Sequence, residues 1–458
     1  MGRTDSTEKH SHTRIGKVIV VLLCLIPMLA AVGYGAVDAF ALGVTFVLAL
    51  IVAALWLADA RSTGEFVFSS DILQLPLLGL ILIAGVQLLP LSSADLPPDL
   101  VSVATARALS ADPYATRFFL IQLIVYFVFF AAALTYIPGG DRLKKIAIAI
   151  VSFGAILAFA GILQRLSTPD AIYGLRATPQ AISFGPFVNQ HHFAALMEMT
   201  SGVALGILFG SGMKREHKLM VALAAGIMGM AIVFTGSRGG LIGYLCVVAF
   251  SAVTSFVRGS AHHEDADAMD RMKRNLYVLI AAGGLVVLVL ASVLFLGGEG
   301  SLLRSIGMGN SQSDPTSGRA HFWSVAWTIF LENPILGSGL NSFGVVFTKF
   351  DTWNGFYRVE QAHNDYLQML ADGGILGIAC VAAFIIFFLR RGVRAIGEQR
   401  DGIRRGIVTG ALAGTIGILI HSFFDFPLRT PANSFFFLLL VVVVVGNGGT
   451  RHRHRSRR

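Results

Sequence analysis

Long uninterrupted apolar runs dominate this chain, and they leave it few folds to choose from. In hydrocarbon every backbone N–H and C=O needs an internal partner, so such a run is a helix. A bilayer core about 30 Å thick takes about 20 helical residues. Runs of that length are read at 18–36, 39–58, 72–91, 118–137, 146–164, 192–211, 219–236, 239–257, 276–297, 366–389, 406–424 and 432–449. The expected fold class is therefore all-α integral membrane, with about 12 transmembrane helices. Charged residues make up 14% of the chain against roughly 25% in soluble domains. That excludes a soluble enzyme, a disordered chain and a secreted disulfide scaffold. Cys24, Cys246 and Cys380 fall inside apolar runs at no metal-ligand spacing and read as packing residues. The first run is an uncleaved helix rather than a signal peptide, because further spans follow it.

Basic residues set the orientation. With the N-terminus in the cytoplasm and alternating spans, the cytoplasmic segments hold 26 of the 36 Lys and Arg. Arg142, Lys144, Lys145, Arg390, Arg391 and the tail Arg451 to Arg458 are among them. Both termini are then cytoplasmic, and the tail reads as topology and solvation rather than nucleic-acid binding. The expected organisation is a cytoplasmic segment 1–17, spans one to nine over 18–297, a large outer loop 298–365, spans ten to twelve over 366–449, and the basic tail 450–458. Long ordered loops in compact proteins usually carry function. In this one, Ser317 is a candidate cap for a helix starting near Arg319, with Ala320, Trp323, Trp327, Phe330 and Leu331 on one face and Pro334 at its end. A tryptophan-rich apolar face suits the membrane interface or packing on the bundle.

Glu198 and Asp372 are the formal charges inside the spans, each in the outer third. Ionisable groups at that depth are candidates for function, or are satisfied by a neighbouring arginine or backbone. Asn189, His191, His192, Arg238, Arg319, Glu360, Gln361, His363, Asn364, Asp365, His421, Asp425 and Arg429 all fall at outer span ends or in the outer loop. Distant in sequence, they share one membrane face. Arg238 is the most specific of them. It sits in Thr235-Gly236-Ser237-Arg238-Gly239-Gly240, a turn opening directly into a span. Helix-start N–H groups attract anions, glycines such as Gly239 and Gly240 admit a ligand, and a guanidinium matches phosphate oxygens. The competing reading is an arginine on lipid headgroups in an ordinary turn.

The segment Gln361-Ala362-His363-Asn364-Asp365, followed by Asp372-Gly373-Gly374, resembles the signature of the O-antigen ligase and polymerase family, bacterial membrane glycosyltransferases. Gly318-Arg319 with Trp323, Asn333-Pro334 through Leu340, the Ser237-Arg238-Gly239 turn, the Asn189 helix entry and His421 to Asn433 are similar to further family segments in the same order. The resemblance covers roughly 185–435. It implies a GT-C-like arrangement in the bacterial inner membrane with the site facing the periplasm. It also implies a glycan donor carried on undecaprenyl pyrophosphate, and a lipid A core or glycan as acceptor. Membrane lipids are implied as surroundings, no nucleic acid is, and a chain-length regulator stays open. Arg238 and Arg319, with Gly239 and Gly240, would hold the pyrophosphate, and His363 would lie at the acceptor side.

On that reading His363 takes or orients the acceptor proton, with Glu360 and Asp365 as rivals for the base. The two arginines remove the need for a metal, so no cofactor is expected. A zinc site from His192, His321, His363 and His421 is set aside because the spacings match no local ligand pair. Asn189, His192, Asn364, His421 and Arg429 are second-rank candidates for glycan or acceptor binding. A single displacement would invert the anomeric centre. Two rivals remain: a polymerase of glycan repeats, and a lipid-linked oligosaccharide flippase, which would place its binding groups nearer the midplane.

Overall fold

A computed structural model describes residues 13–91, 108–179, 181–210, 212–261, 318–353 and 358–446. The expected span 276–297, Ser317 and the basic tail lie outside these. The described chain is helical apart from a two-residue hairpin, Ala171–Ile172 with Arg176–Ala177. Its helices are α1 Arg14–Val32, α2 Ala39–Thr63, α3 Gln74–Gln87, α4 Pro113–Tyr136, α5 Gly140–Ser167, α6 Gln190–Phe209, α7 Arg215–Phe234 and α8 Arg238–Ala261. After the segment not described come α9 Arg319–Glu332, α10 Phe343–Phe350, α11 Asp365–Glu398, α12 Gly402–His421 and α13 Pro431–Val445. Among the described residues nine helices are long and apolar enough to cross a membrane, and α3 and α13 are shorter apolar helices. These helices fall on the expected runs other than 276–297, with changed bounds: α5 starts before 146 and α11 runs past 389.

Composition sorts the helices by depth. α13, apolar on every side, is buried almost throughout, as a helix without a polar face must be. α6 is buried along nearly its whole length and packs antiparallel on α12. Glycines make this contact. A side chain at Gly202 would lie 2.6 Å from the Gly414 backbone, and one at Gly206 would collide with Gly406 and Gly410. Small residues let the two backbones meet, the usual way to gain packing in lipid. Large apolar side chains on α1, α2, α3, α5 and α7 face outward, as they should in a hydrocarbon solvent.

Charge is concentrated at the two ends of the bundle. At one end Lys144 pairs with Asp401, Arg404 with Asp141 and Arg391 with Asp71, while buried Asp59 accepts from Thr13 and Tyr136. Asp401, which caps α12, is lowered in pKa: burial opposes its charge, and the Arg404 N–H and Lys144 outweigh it. The other end holds the cluster described below.

α11 is broken where it meets the loop after α9. Gly374 adopts φ 62°, ψ −161°, a conformation essentially reserved for glycine. Segment 334–340 lies against this break and supplies its missing hydrogen bonds. Ser338 and Gly339 N–H groups donate to the Ala371 and Asp372 carbonyls, and Ile375 N–H donates to Pro334. Gln87, at the end of α3, donates to Leu336 and Asp372 carbonyls and accepts from Leu340 N–H. Non-helical backbone is tolerated at such a place because protein, not lipid, surrounds it.

α9 differs in part from expectation. The residue capping it is Gly318, at φ 82°. It packs through Phe322, Val325, Ala326 and Ile329 onto Phe343, Phe347 and Ala362. Trp327 and Leu331 remain exposed on the other face.

Candidate active site

Asp425 is the centre of the second polar cluster. It lies in the turn between α12 and α13 and is 1% exposed. Its Oδ2 accepts from Arg319 Nη2 at 3.3 Å and stands 4.0 Å from His191 Nδ1. Its Oδ1 accepts the Phe426 N–H at 2.9 Å and stands 3.3 Å from His363 Nδ1. The His363 ring is off line for a well-formed hydrogen bond there, so the contact is a close approach of ring and carboxylate. Burial opposes the Asp425 charge. The His363 imidazole and the field of His191 outweigh it and hold the carboxyl well below the usual carboxylate range.

His363 reaches this carboxylate through an uncommon backbone. Its φ is +52°, a left-handed value that a side-chain-bearing residue keeps only when its surroundings fix it. They do. Asn364 caps α11, its Oδ1 accepting from the Tyr366 and Leu367 N–H groups. Asp365 ties the same segment to the Asp425 turn: its N–H donates to Ser422 carbonyl, and its Oδ2 accepts from Ser422 Oγ and Leu428 N–H. The His363 ring also packs edge-on against Phe426, with centroids 4.8 Å apart. Nδ1 is turned to Asp425, which leaves Nε2 on the opposite edge of the ring.

The Arg238 turn joins the cluster through Ser237. Ser237 Oγ accepts the Gly240 N–H at 3.1 Å, capping α8, and lies 2.8 Å from His191 Nδ1. Asn189 caps α6 by accepting the His191 N–H. Thus the Ser237 turn that opens α8, Arg319 at the start of α9 and His363 before α11 are brought to one end of the bundle, with Arg319 and His363 on Asp425 and Ser237 linked to it through His191. Positive helix ends and guanidinium groups together make a setting for an anion.

Behind this layer sits a second one. His421 Nδ1 is 2.8 Å from Glu198 Oε1, and both side chains are fully buried. Gly239 and Gly243, one turn apart on α8, make room for this pair. A side chain at Gly239 would touch the His421 ring at 2.6 Å, and one at Gly243 would meet Glu198 at 2.5 Å. His192 bonds Thr430 Oγ1 at 2.6 Å and packs on Phe426. Arg429 is aimed elsewhere, at Asp372 (2.8 Å) and Asn341 (2.9 Å), with its guanidinium over Phe119. Glu360 is exposed and pairs with Arg358, outside the cluster. The four histidines of the zinc alternative have four different partners, since His321 bonds Asp351. Next to Arg429 and Asp365 an apolar cavity of about 180 Å³ opens between α3, α4 and α11, lined by Leu77, Leu80, Phe119 and Phe384.

Reading the sequence alone assigned no role to Asp425. Asp425 lies past the end of α12, four residues beyond His421, where helical periodicity no longer names a partner. Ser237 and Glu198 were equally invisible as partners, because each bond joins segments far apart in the chain.

Residues 223–382 match the family described as O-antigen ligase. The matched stretch contains Arg238, Arg319 and His363, whereas Asp425 and His191 fall outside it. No curated protein matches the chain. The helices long enough to span a bilayer make this chain a multi-pass membrane protein, and the match, over about a third of its length, makes that stretch similar to O-antigen ligases.

Proposed function

We propose that the Asp425 cluster transfers a glycan from a polyprenyl diphosphate carrier to an acceptor hydroxyl, on the periplasmic face of the bacterial inner membrane. The observation that carries this is the meeting of Arg319, His363 and the Arg238 turn around one buried carboxylate. The acceptor O–H gives its proton to His363 Nε2 as its oxygen attacks the anomeric carbon. The bond from that carbon to the diphosphate oxygen breaks, and negative charge grows on the leaving group. Arg238, Arg319 and the start of α8 face that charge. Asp425 stabilises the imidazolium that forms on His363. One displacement inverts the anomeric centre; a product of retained configuration in an NMR assay would overturn the single step. The apolar cavity beside Arg429 has the lining that an isoprenoid chain requires.

In vitro transfer with a defined lipid-linked donor tests the proposal, comparing the wild type with Arg238→Ala, Arg319→Ala and His363→Ala. Unimpaired turnover in all three would remove the assignment. Ligase and polymerase differ in acceptor. Loss of the gene leaves short lipid-linked repeats if the protein polymerises, and full-length unattached chains if it ligates. The break in α11 is the feature a flippase would use. Asp372 Oδ2 and the backbone groups at the break, however, are engaged by Arg429 and the 334–340 segment. Release of carrier diphosphate by purified protein in detergent, with no gradient, separates the two readings.

A further inference from the structure

Beside the cluster stands an aromatic group that the transfer step does not use. The Trp353 indole stacks on the His321 ring, with centroids 4.3 Å apart and planes at 11°. Phe322 supports both rings, and it also lies against His363, at 6.0 Å. Trp353 nonetheless stays 49% exposed. An indole covered on one face and open elsewhere, held by neighbours, is a surface built before any ligand arrives.

Its rim is polar. Asp351 Oδ1 accepts from His321 Nε2 at 2.8 Å and from the Trp353 backbone N–H at 3.0 Å. These two bonds fix the stack and hold the Asp351 carboxyl below its usual pKa, the Trp353 N–H contributing most. Oδ2 has no partner among the described residues, so an ionised acceptor beside the stack keeps one oxygen for a further donor. The position matters as well. A side chain on Gly318 would touch the Trp353 ring at 3.2 Å, and Gly318 directly precedes Arg319. The surface therefore adjoins the start of α9, which carries Arg319, and, through Phe322, His363.

We propose that Trp353, His321 and Asp351 form a sugar subsite. The C–H face of a pyranose ring lies on the exposed indole, and one of its hydroxyls donates to Asp351 Oδ2. An apolar face with an adjacent ionised acceptor matches the two sides of a sugar ring, whereas a lipid tail would leave the carboxylate unpartnered. This rests on the glycan-transfer reading for its place in the reaction. The ring belongs either to the donor glycan or to the acceptor.

The test compares the full chain in detergent with Trp353→Ala, Trp353→Phe and Asp351→Asn. Transfer is measured with donor and acceptor varied separately, alongside inhibition by sugar-free undecaprenyl pyrophosphate. Expected is a rise of about tenfold in KM for one substrate in Trp353→Ala and Asp351→Asn, with inhibition by the sugar-free carrier unchanged and Trp353→Phe largely restored. The substrate whose KM moves identifies the source of the ring. Unchanged KM values for both substrates overturn the subsite. Equal weakening of the sugar-free carrier also overturns it, because the aromatic group then only supports Arg319 or anchors α9 at the membrane. An independent arm adds methyl glycosides of glucose, galactose, N-acetylglucosamine and rhamnose while reading tryptophan fluorescence. A saccharide-dependent change lost in Trp353→Phe upholds the subsite even if the wild type transfers nothing. No change with any of the four, together with unmoved KM values, sinks it.

Discussion

Asp425→Asn is the most informative single change. The Phe426 N–H, 2.9 Å from Oδ1, decides which way the new amide points. It keeps the carbonyl oxygen beside His363 and turns the NH₂ towards Arg319 and His191. The substitution thus removes the charge facing His363 and sets a donor against the Arg319 guanidinium. At an effective dielectric of about 20, an imidazolium 3.3 Å from a carboxylate gains about 5 kcal/mol. With the proton roughly half transferred, the transition state loses about 2.5 kcal/mol, or roughly 70-fold in rate. The 30% exposure of His363 reduces this, and the donor clash at Arg319 adds to it. We expect kcat to fall by roughly 10²-fold, within the range for a general base. The assay is single-turnover transfer by the wild type, Asp425→Asn, His363→Ala and the double variant. If Asp425 works mainly through His363, the double variant is slower than His363→Ala only by the smaller loss from the Arg319 clash, far less than the product of the two single losses. Multiplicative losses, or Asp425→Asn keeping more than about a third of the wild-type rate, would refute the reasoning. The pH dependence has a definite sign. The folded Asp425 pKa is depressed, so its contribution to stability is complete above its unfolded value near 4 and fades as pH falls from there towards the folded value. The stability gap between wild type and Asp425→Asn should be level from about pH 5 to 8 and close below about pH 4.

Three further outcomes follow from the packing. Gly374→Ala places a side chain on the Ile335 carbonyl at a glycine-only conformation; it should cost at least about 2 kcal/mol in thermal unfolding, and an unchanged melting temperature would contradict the broken helix. Arg429→Ala strands fully buried Asp372 and should cost about 3–5 kcal/mol, with part recovered by adding Asp372→Asn; no recovery in the double variant would argue against the pair. Glu198→Ala leaves buried His421 without its acceptor and should destabilise by about 3 kcal/mol, while Glu198→Gln keeps an oxygen in place and costs less; equal costs for the two would show that charge, not the hydrogen bond, holds His421.

The membrane architecture was legible in the sequence because the bilayer imposes a length and a composition on each span, and both can be counted along the chain. The gathering of polar residues at one end was legible for the same reason: alternating spans send every second turn to the same side. The Gly373-Gly374 step, too, marked a special place before its geometry was known. Who partners whom was not legible. Asp425 meets Arg319 and His363 across more than fifty residues of chain, and nothing in local periodicity records such a pairing. Those contacts exist because α6 and α12 meet through glycines and because the 334–340 segment docks into the break in α11. Packing also turned Arg429 towards Asp372 and left Glu360 outside with Arg358, distinctions invisible when all three ends were simply polar. The sequence by itself determined that the chain crosses a membrane and gathers polar groups at one end. The tertiary structure decided which of them share a carboxylate, because charge interactions fall off within ångströms whereas topology is fixed only to the nearest helix end.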